Sequence, residues 1–189
     1  MGQYYKAVLL STDGKVIGYL QPWTWGSLGK LMEHSWTRDQ FLTNVLALLT
    51  PGSAFGDGAG VRLVWAGDYA DEDYAADPEG TTLVTLYQAC KTVQESCDAV
   101  PEGVRVTQFP YLVNSTKRVY VKCPAKGLHP LPILTAEGNG RGGGDLPADH
   151  AWSGLAGSWA RDAICVRPSP PEAEAAYTEL IMPPTPDSH

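Results

Sequence analysis

The sequence predicts a single α+β domain in which two main helices cover one face of a mixed or mostly antiparallel sheet. A chain of 189 residues suits one domain with a substantial core. Its apolar runs have strand and helix periodicities in an irregular order, unlike the β-α repetition of a doubly wound parallel sheet. The composition, 43% hydrophobic and 19% charged, is typical of a globular protein. We place the domain at residues 1–182 and a flexible tail at 183–189.

A β-hairpin is the first predicted element. The apolar runs at residues 4–10 and 16–20 flank Asp13 and Gly14. An Asp-Gly pair between two such runs is a strong hairpin signal, because this turn type needs residues that tolerate positive φ.

A capped helix follows at residues 38–49. Thr37 stands three residues before Gln40, which is the spacing of a capping box, and Trp36 and Phe41 have the spacing of a hydrophobic staple. We therefore expect Thr37 to cap this helix.

The remaining elements are predicted from shorter patterns. Residues 61–66 form an apolar run that is typical of a buried strand, and residues 83–97 have apolar positions at helical spacing. Further strands are predicted at residues 104–109, 117–123, 131–135, 163–166 and 177–182.

Charge and composition exclude several classes of protein. Lys and Arg total 14 against 21 for Asp and Glu, and this net charge of −7 argues against general nucleic-acid binding, which needs basic surface. No apolar run reaches the roughly 20 residues that cross a bilayer, and the first residues do not resemble a signal peptide. We expect a cytoplasmic protein without membrane contact, whose four cysteines stay reduced and form no zinc site.

The glycine-rich segment at residues 138–145 is the leading candidate for a binding loop. Ordering glycine is entropically costly, so a fold accepts many glycines where its backbone turns sharply or approaches a ligand closely. Arg141 is a fork-shaped donor for phosphate or carboxylate, beside backbone N–H groups that form an anion nest. The alternative is a structural turn closed by an ion pair from Arg141 to Asp145 or Glu137. The predicted ligand-binding residues are Gly138, Asn139, Gly140, Arg141, Gly142, Gly143, Gly144 and Asp145, with Trp25 stacking on the ligand.

Carboxylates and one histidine are candidates for catalysis. Asp68 follows a predicted buried strand, where ligand crevices open in α/β sheets, and Glu137 flanks the glycine-rich segment. Asp68 and Asp71 also suit a divalent cation, although acidic loops are commonly only solvated. Histidine titrates near neutral pH, so His34 beside Glu33 is a candidate acid or base, with a hydrogen-bonded structural histidine as the alternative.

Four short segments also carry a resemblance. MGQYYK at residues 1–6, LMEHSW at 31–36, VWAGDYAD at 64–71 and LTAEGNGRGGGD at 134–145 resemble segments of a set of hypothetical bacterial and phage proteins. The similarity reaches as far as residue 162. It implies a bacterial or phage source and one continuous domain.

These observations lead to three hypotheses of function. The first is a protein that binds a small anionic ligand, such as a nucleotide or phosphorylated metabolite, through Arg141 and the glycine-rich segment. The second is a hydrolase in which Asp68 or Glu137 activates water, with or without a divalent cation. The third is a protein-interaction module. We also predict that Asp68 and Arg141 share one cleft. Parallel neighbouring strands before Asp68 and before the glycine-rich segment would place both at one edge of the sheet, whereas antiparallel strands would place them on opposite edges.

Overall fold

A computed structural model of the chain describes residues 3–56, 60–77, 79–139, 146–171 and 176–184. The described residues form helices α1 (Gln40–Leu48), α2 (Leu86–Ala89) and α3 (Pro130–Leu134). Their strands are β1 (Tyr5–Leu10), β2 (Val16–Leu20), β3 (Val61–Gly67), β4 (Tyr74–Ala75), β5 (Leu83–Val84), β6 (Tyr111–Asn114), β7 (Val119–Lys122), β8 (Ala136–Glu137), β9 (Asp162–Arg167) and β10 (Thr178–Glu179).

The strands build a mixed sheet, which confirms the predicted α+β class. Seven strands follow the order β10-β7-β6-β9-β3-β1-β2, and β8 pairs with β3 beside this path. The β3–β8 and β7–β10 pairs are parallel, whereas the other pairs of this sheet are antiparallel. β4 and β5 form a separate two-stranded ribbon.

The centre of the sheet is buried on both faces. In β1, Tyr5 and Leu9 belong to the main core together with residues of α1 and α3, whereas Val8 belongs to a smaller cluster with Leu86 of α2. Side chains alternate between the faces of a strand, so α1 and α2 lie on opposite faces and not together on one face as predicted. A strand covered on both faces tends to have a continuous apolar run, as β1 does at residues 7–10.

The start of α1 differs from the predicted capping box. The Asp39 side chain, and not that of Thr37, accepts the hydrogen bond from Leu42 N, at 3.0 Å. Thr37 instead donates its backbone N–H to Gly127 O. The helix therefore begins two residues later than predicted, because aspartate competes well with threonine for the N-cap position.

Asp39→Ala is expected to lower the free energy of unfolding by about 1 kcal/mol, the usual cost of losing an N-cap side chain. Thr37→Ala is the matched control and should change it by less than about 0.5 kcal/mol. Urea denaturation of both variants measures the difference. A larger loss from Thr37→Ala than from Asp39→Ala would contradict this assignment of the cap.

Two predicted elements in the middle of the chain are wrong. The expected helix over 83–97 is divided into β5, α2 and 3-10 turns, because Thr85 caps α2 and Val93 is extended (φ −114°, ψ 162°). The expected strand over 104–109 contains the 3-10 turn Val106–Gln108, and the strand that forms is β6. Short apolar runs do not distinguish these alternatives, because tertiary packing decides among them.

The expected strand over 131–135 is also wrong. These residues lie largely in α3, where Pro130 provides the fixed φ that favours a first helical turn and His129 caps the helix. All five residues of α3 are buried, so no polar face marks the helical period. The strand that precedes the glycine-rich segment is β8, immediately after this helix.

Three further predictions concern membrane spans, the cysteines and the C-terminal segment. Within the described ranges, no helix has the length and apolarity to cross a bilayer. Cys90, Cys97, Cys123 and Cys165 are free thiols. Pro183, placed in the tail by the sequence, accepts a hydrogen bond from Trp152 Nε1 at 2.7 Å, so bonded structure extends to this residue.

Candidate functional site

Two parallel strands end at the same edge of the sheet and carry several candidate residues there. Trp65 and Ala66 of β3 pair in parallel with Ala136 and Glu137 of β8. The residues predicted as that strand, 131–135, lie largely in helix α3, but the two-residue strand β8 that follows them runs parallel to β3. Asp68 follows β3 directly, and the glycine-rich segment follows β8.

Asp68 is engaged by the start of the chain. Its Oδ1 accepts a hydrogen bond from Tyr4 N at 3.0 Å, and its own backbone N–H donates to Tyr4 O at 3.0 Å. This reciprocal pair extends the antiparallel pairing of β1 with β3 by one step. Asp68 is half-buried and is not among the residues that line the neighbouring pocket.

A polar pocket of about 290 Å³, here called the acidic pocket, opens beside the C-terminal end of β8. Its charged groups are three carboxylates and one guanidinium, and the glycine-rich segment contributes its first residue. These residues are Asp71, Asp73, Glu137 and Arg161, with Gly138 from the glycine-rich segment.

Arg161 organises the acidic pocket. Its Nη2 donates to Glu137 Oε2 at 2.8 Å and to Asp73 Oδ1 at 2.7 Å, while its Nε lies 2.7 Å from Glu137 Oε1. Burial lowers the pKa of Arg161, but hydrogen bonds and charges from Asp73 and Glu137 outweigh burial, and the pKa is raised. One guanidinium therefore fixes two carboxylates that are 64 residues apart in the sequence.

The backbone of Arg161 is in the left-handed region, at φ 63°. This conformation costs a non-glycine residue about 1 kcal/mol or more, and its N–H donates to Leu63 O at 2.9 Å. Strained backbone of this kind concentrates at functional sites, where the surrounding structure enforces it. The strain at Arg161 thus marks the same place as its ion pairs.

Glu137 is an ion-pair partner in this arrangement. Both of its carboxylate oxygens contact Arg161. The carboxylate that would act as a general base is therefore already paired with a guanidinium. Glu137 remains a candidate for catalysis only as a prediction from the sequence.

Only the beginning of the predicted binding loop belongs to the described structure. Gly138 is buried, and Asn139 is exposed and donates its backbone N–H to Gln3 Oε1 at 3.3 Å. Gly140, Arg141, Gly142, Gly143, Gly144 and Asp145 lie outside the described residues. The expected juxtaposition of Asp68 with Arg141 therefore stays a prediction.

His34 lies in the core, away from the acidic pocket. It is 0% exposed, and its Nε2 is 2.6 Å from Trp65 Nε1. An indole N–H only donates, so Nε2 accepts and the ring proton belongs on Nδ1, which lies 2.9 Å from Leu28 O. Both ring nitrogens are used and no solvent reaches the ring. This placement supports the structural alternative for His34, and acid–base catalysis gains no support from it.

The aromatic and metal predictions gain no support from the described residues either. Trp25 is half-buried in the turn Pro22–Trp25, packs against the main core and does not line the acidic pocket. The described part of the chain contains no group of three or more side chains arranged to hold a metal ion. Asp71 is exposed, and Asp68 already accepts from Tyr4.

Arg161 is the principal residue that the sequence did not identify. Its neighbour in the sequence, Asp162, is not its partner, because Asp162 accepts from Asn114 Nδ2 and pairs with Lys117. No local pattern in the sequence could have found it, because its partners Asp73 and Glu137 lie 88 and 24 residues away.

A comparison with protein-family models finds no match, and comparisons with curated proteins and with solved structures find none either. The chemistry of the site therefore rests on its residues alone.

Proposed function

We propose that this protein binds a small phosphorylated molecule that also carries hydroxyl groups, represented by a nucleotide, in the acidic pocket. The observation that carries the proposal is the position of the pocket. It opens where the parallel neighbours β3 and β8 end and where the glycine-rich segment begins. Ligands of open α/β sheets bind outside the carboxyl ends of their strands.

The charges of the pocket favour a division of the ligand between two recognition elements. Three carboxylates face one guanidinium that is already paired, so the described wall would repel a bare phosphate. Carboxylates accept hydrogen bonds from sugar hydroxyls, as acidic residues do in dinucleotide-binding folds. We assign the hydroxyl groups to Asp71 and Asp73, and the phosphate to Arg141 and the backbone N–H groups of the glycine-rich segment.

The size of the pocket and a nearby aromatic ring agree with this ligand class. A volume of about 290 Å³ is at the lower end for ligand sites and suits a sugar phosphate with the base outside. Tyr69 is 52% exposed and precedes Ala70, which lines the pocket. Its ring replaces Trp25 as the surface on which a base would stack.

Calorimetric titration of the purified protein with adenosine 5′-monophosphate, adenosine and inorganic phosphate tests the proposal. We expect the nucleotide to bind at least about tenfold more tightly than either fragment, because both recognition elements act on one molecule. Arg141→Ala should reduce nucleotide affinity to that of adenosine, and Asp71→Asn should weaken both the nucleotide and adenosine. Arg105→Ala and Asp98→Asn, at exposed positions outside the pocket, are the matched controls.

Equal affinity for phosphate and nucleotide would contradict the assignment of the hydroxyl groups, and unchanged binding in Arg141→Ala would contradict that of the phosphate. Chromatography of the titrated samples separates binding from the hydrolase hypothesis, because only a hydrolase converts the nucleotide to adenosine and phosphate.

A further inference from the structure

A second cavity, far more apolar than the acidic pocket, lies between α1, the segment before β6 and the end of β7. Its volume is about 450 Å³, and it shares no lining residue with the acidic pocket. That volume is about three times the 150 Å³ of an apolar cavity known to hold benzene. This space is here called the apolar cavity. Its walls include Leu46, Val106, Phe109, Pro110, Cys123 and His129.

His129 supplies one directed donor to the apolar cavity. Leu131 N donates to His129 Nδ1 at 3.2 Å, so the proton of the neutral ring is on Nε2. His129 is only 5% exposed and lines the cavity, so Nε2–H is the ring donor that remains for a ligand there. Burial lowers the pKa of His129 to about 3, so the ring stays a neutral donor at physiological pH.

Lys122 supplies a positive charge at the mouth of the same cavity. It is exposed at the end of β7, lines the cavity, and forms no ion pair with any residue that the structure describes. A neutral N–H donor and an ammonium group therefore border an otherwise mostly apolar space.

We propose that the apolar cavity is a second ligand site, which takes an amphipathic carboxylic acid of medium chain length. The hydrocarbon part would lie against Leu46, Val106 and Phe109. The carboxylate would remain at the mouth, where Lys122 offers charge and His129 a hydrogen bond. A ligand without an acceptor leaves the His129 donor unmatched, and a cationic ligand is repelled by Lys122.

Cys123 is part of the wall of the apolar cavity. Burial raises the pKa of its thiol to about 12, so the nucleophilic thiolate is scarce at neutral pH.

Calorimetric titration with sodium hexanoate, octanoate and decanoate below their micellar concentrations tests the site, with 1-decanol as the uncharged counterpart of decanoate. Each methylene that enters the cavity is expected to tighten binding by about fourfold. Decanoate should bind more tightly than 1-decanol, and Lys122→Gln should remove most of that difference by weakening decanoate binding by up to about fivefold.

Ala125→Trp provides the test of location, because Ala125 lines the cavity at an exposed position and the indole would fill the space. It should abolish decanoate binding, whereas Ala75→Trp, at an exposed position on β4, should not. Circular dichroism and thermal denaturation of both variants establish that each is folded.

Three results would overturn the proposal. They are no saturable binding of decanoate to the wild-type protein, equal binding by folded Ala125→Trp, and affinity that does not depend on chain length. Equal affinities for decanoate and 1-decanol, unaffected by Lys122→Gln, would refute recognition of the carboxylate. Nucleotide binding in the acidic pocket is measured separately, so the two proposals fail independently.

Discussion

His34→Ala is expected to lower the free energy of unfolding by about 3 kcal/mol, because it removes a fully buried ring from the core. It also leaves the Trp65 N–H and the Leu28 carbonyl without their hydrogen-bond partner, and each buried unsatisfied group is costly. An aromatic contact is lost as well, because the His34 ring meets the Phe41 ring edge-on, with 5.1 Å between their centroids. Equilibrium denaturation in urea measures the loss.

Trp65, whose indole donates to His34, provides the control for this effect. Trp65→Phe removes the N–H donor while keeping an aromatic ring, so the two substitutions combined should cost less than the sum of their separate costs. Nucleotide affinity of the folded His34→Ala protein should be unchanged. A variant of normal stability that loses nucleotide binding would contradict the structural assignment and restore His34 to the functional site.

Acidification is expected to destabilise the protein through His129. Burial lowers its pKa to about 3 from a usual value of 6.5, so below pH 6.5 the unfolded chain takes up a proton that the folded chain refuses. The stabilisation is complete above pH 6.5 and decreases as the pH falls toward 3. Between pH 7 and pH 5 the contribution of this one residue is a loss of about 2 kcal/mol.

His129→Asn isolates that contribution, because asparagine is a good N-cap for α3 and does not titrate. Urea denaturation at pH 7 and pH 5 should give a pH dependence about 2 kcal/mol smaller in the variant than in the wild-type protein. If the two proteins have the same pH dependence, His129 takes up its proton equally well in the folded and unfolded states. That result would mean that the ring is hydrated.

The strongest local patterns in the sequence predicted strands of the sheet correctly. They did not predict the packing of residues that are distant in the chain. The hairpin at Asp13 and Gly14, strand β3 and strand β9 all form where their patterns place them. Each has apolar character or turn chemistry that is specific to one conformation. The run that became α3 is apolar throughout, and the proline and histidine at its start were the only local sign of a helix.

The sequence predicted the edge of the sheet at which the candidate site lies better than it predicted the residues that form the site. Asp68 and the glycine-rich segment were assigned to one edge because both follow apolar runs, and the β3–β8 pairing places Asp68 and Gly138 there. Arg161 could not be found in this way, because its partners Asp73 and Glu137 are 88 and 24 residues distant in the chain. Only the fold brings such residues together.

Two-dimensional 1H–15N NMR of the labelled protein during a titration with adenosine 5′-monophosphate tests the central claim most directly. We predict saturable shifts of the backbone amides of Tyr69, Asp71, Gly138, Asn139 and Arg161, with no shift at His129 or Cys123 in the apolar cavity. The absence of any saturable shift, or shifts confined to residues outside this edge of the sheet, would contradict the assignment of the acidic pocket as the ligand site.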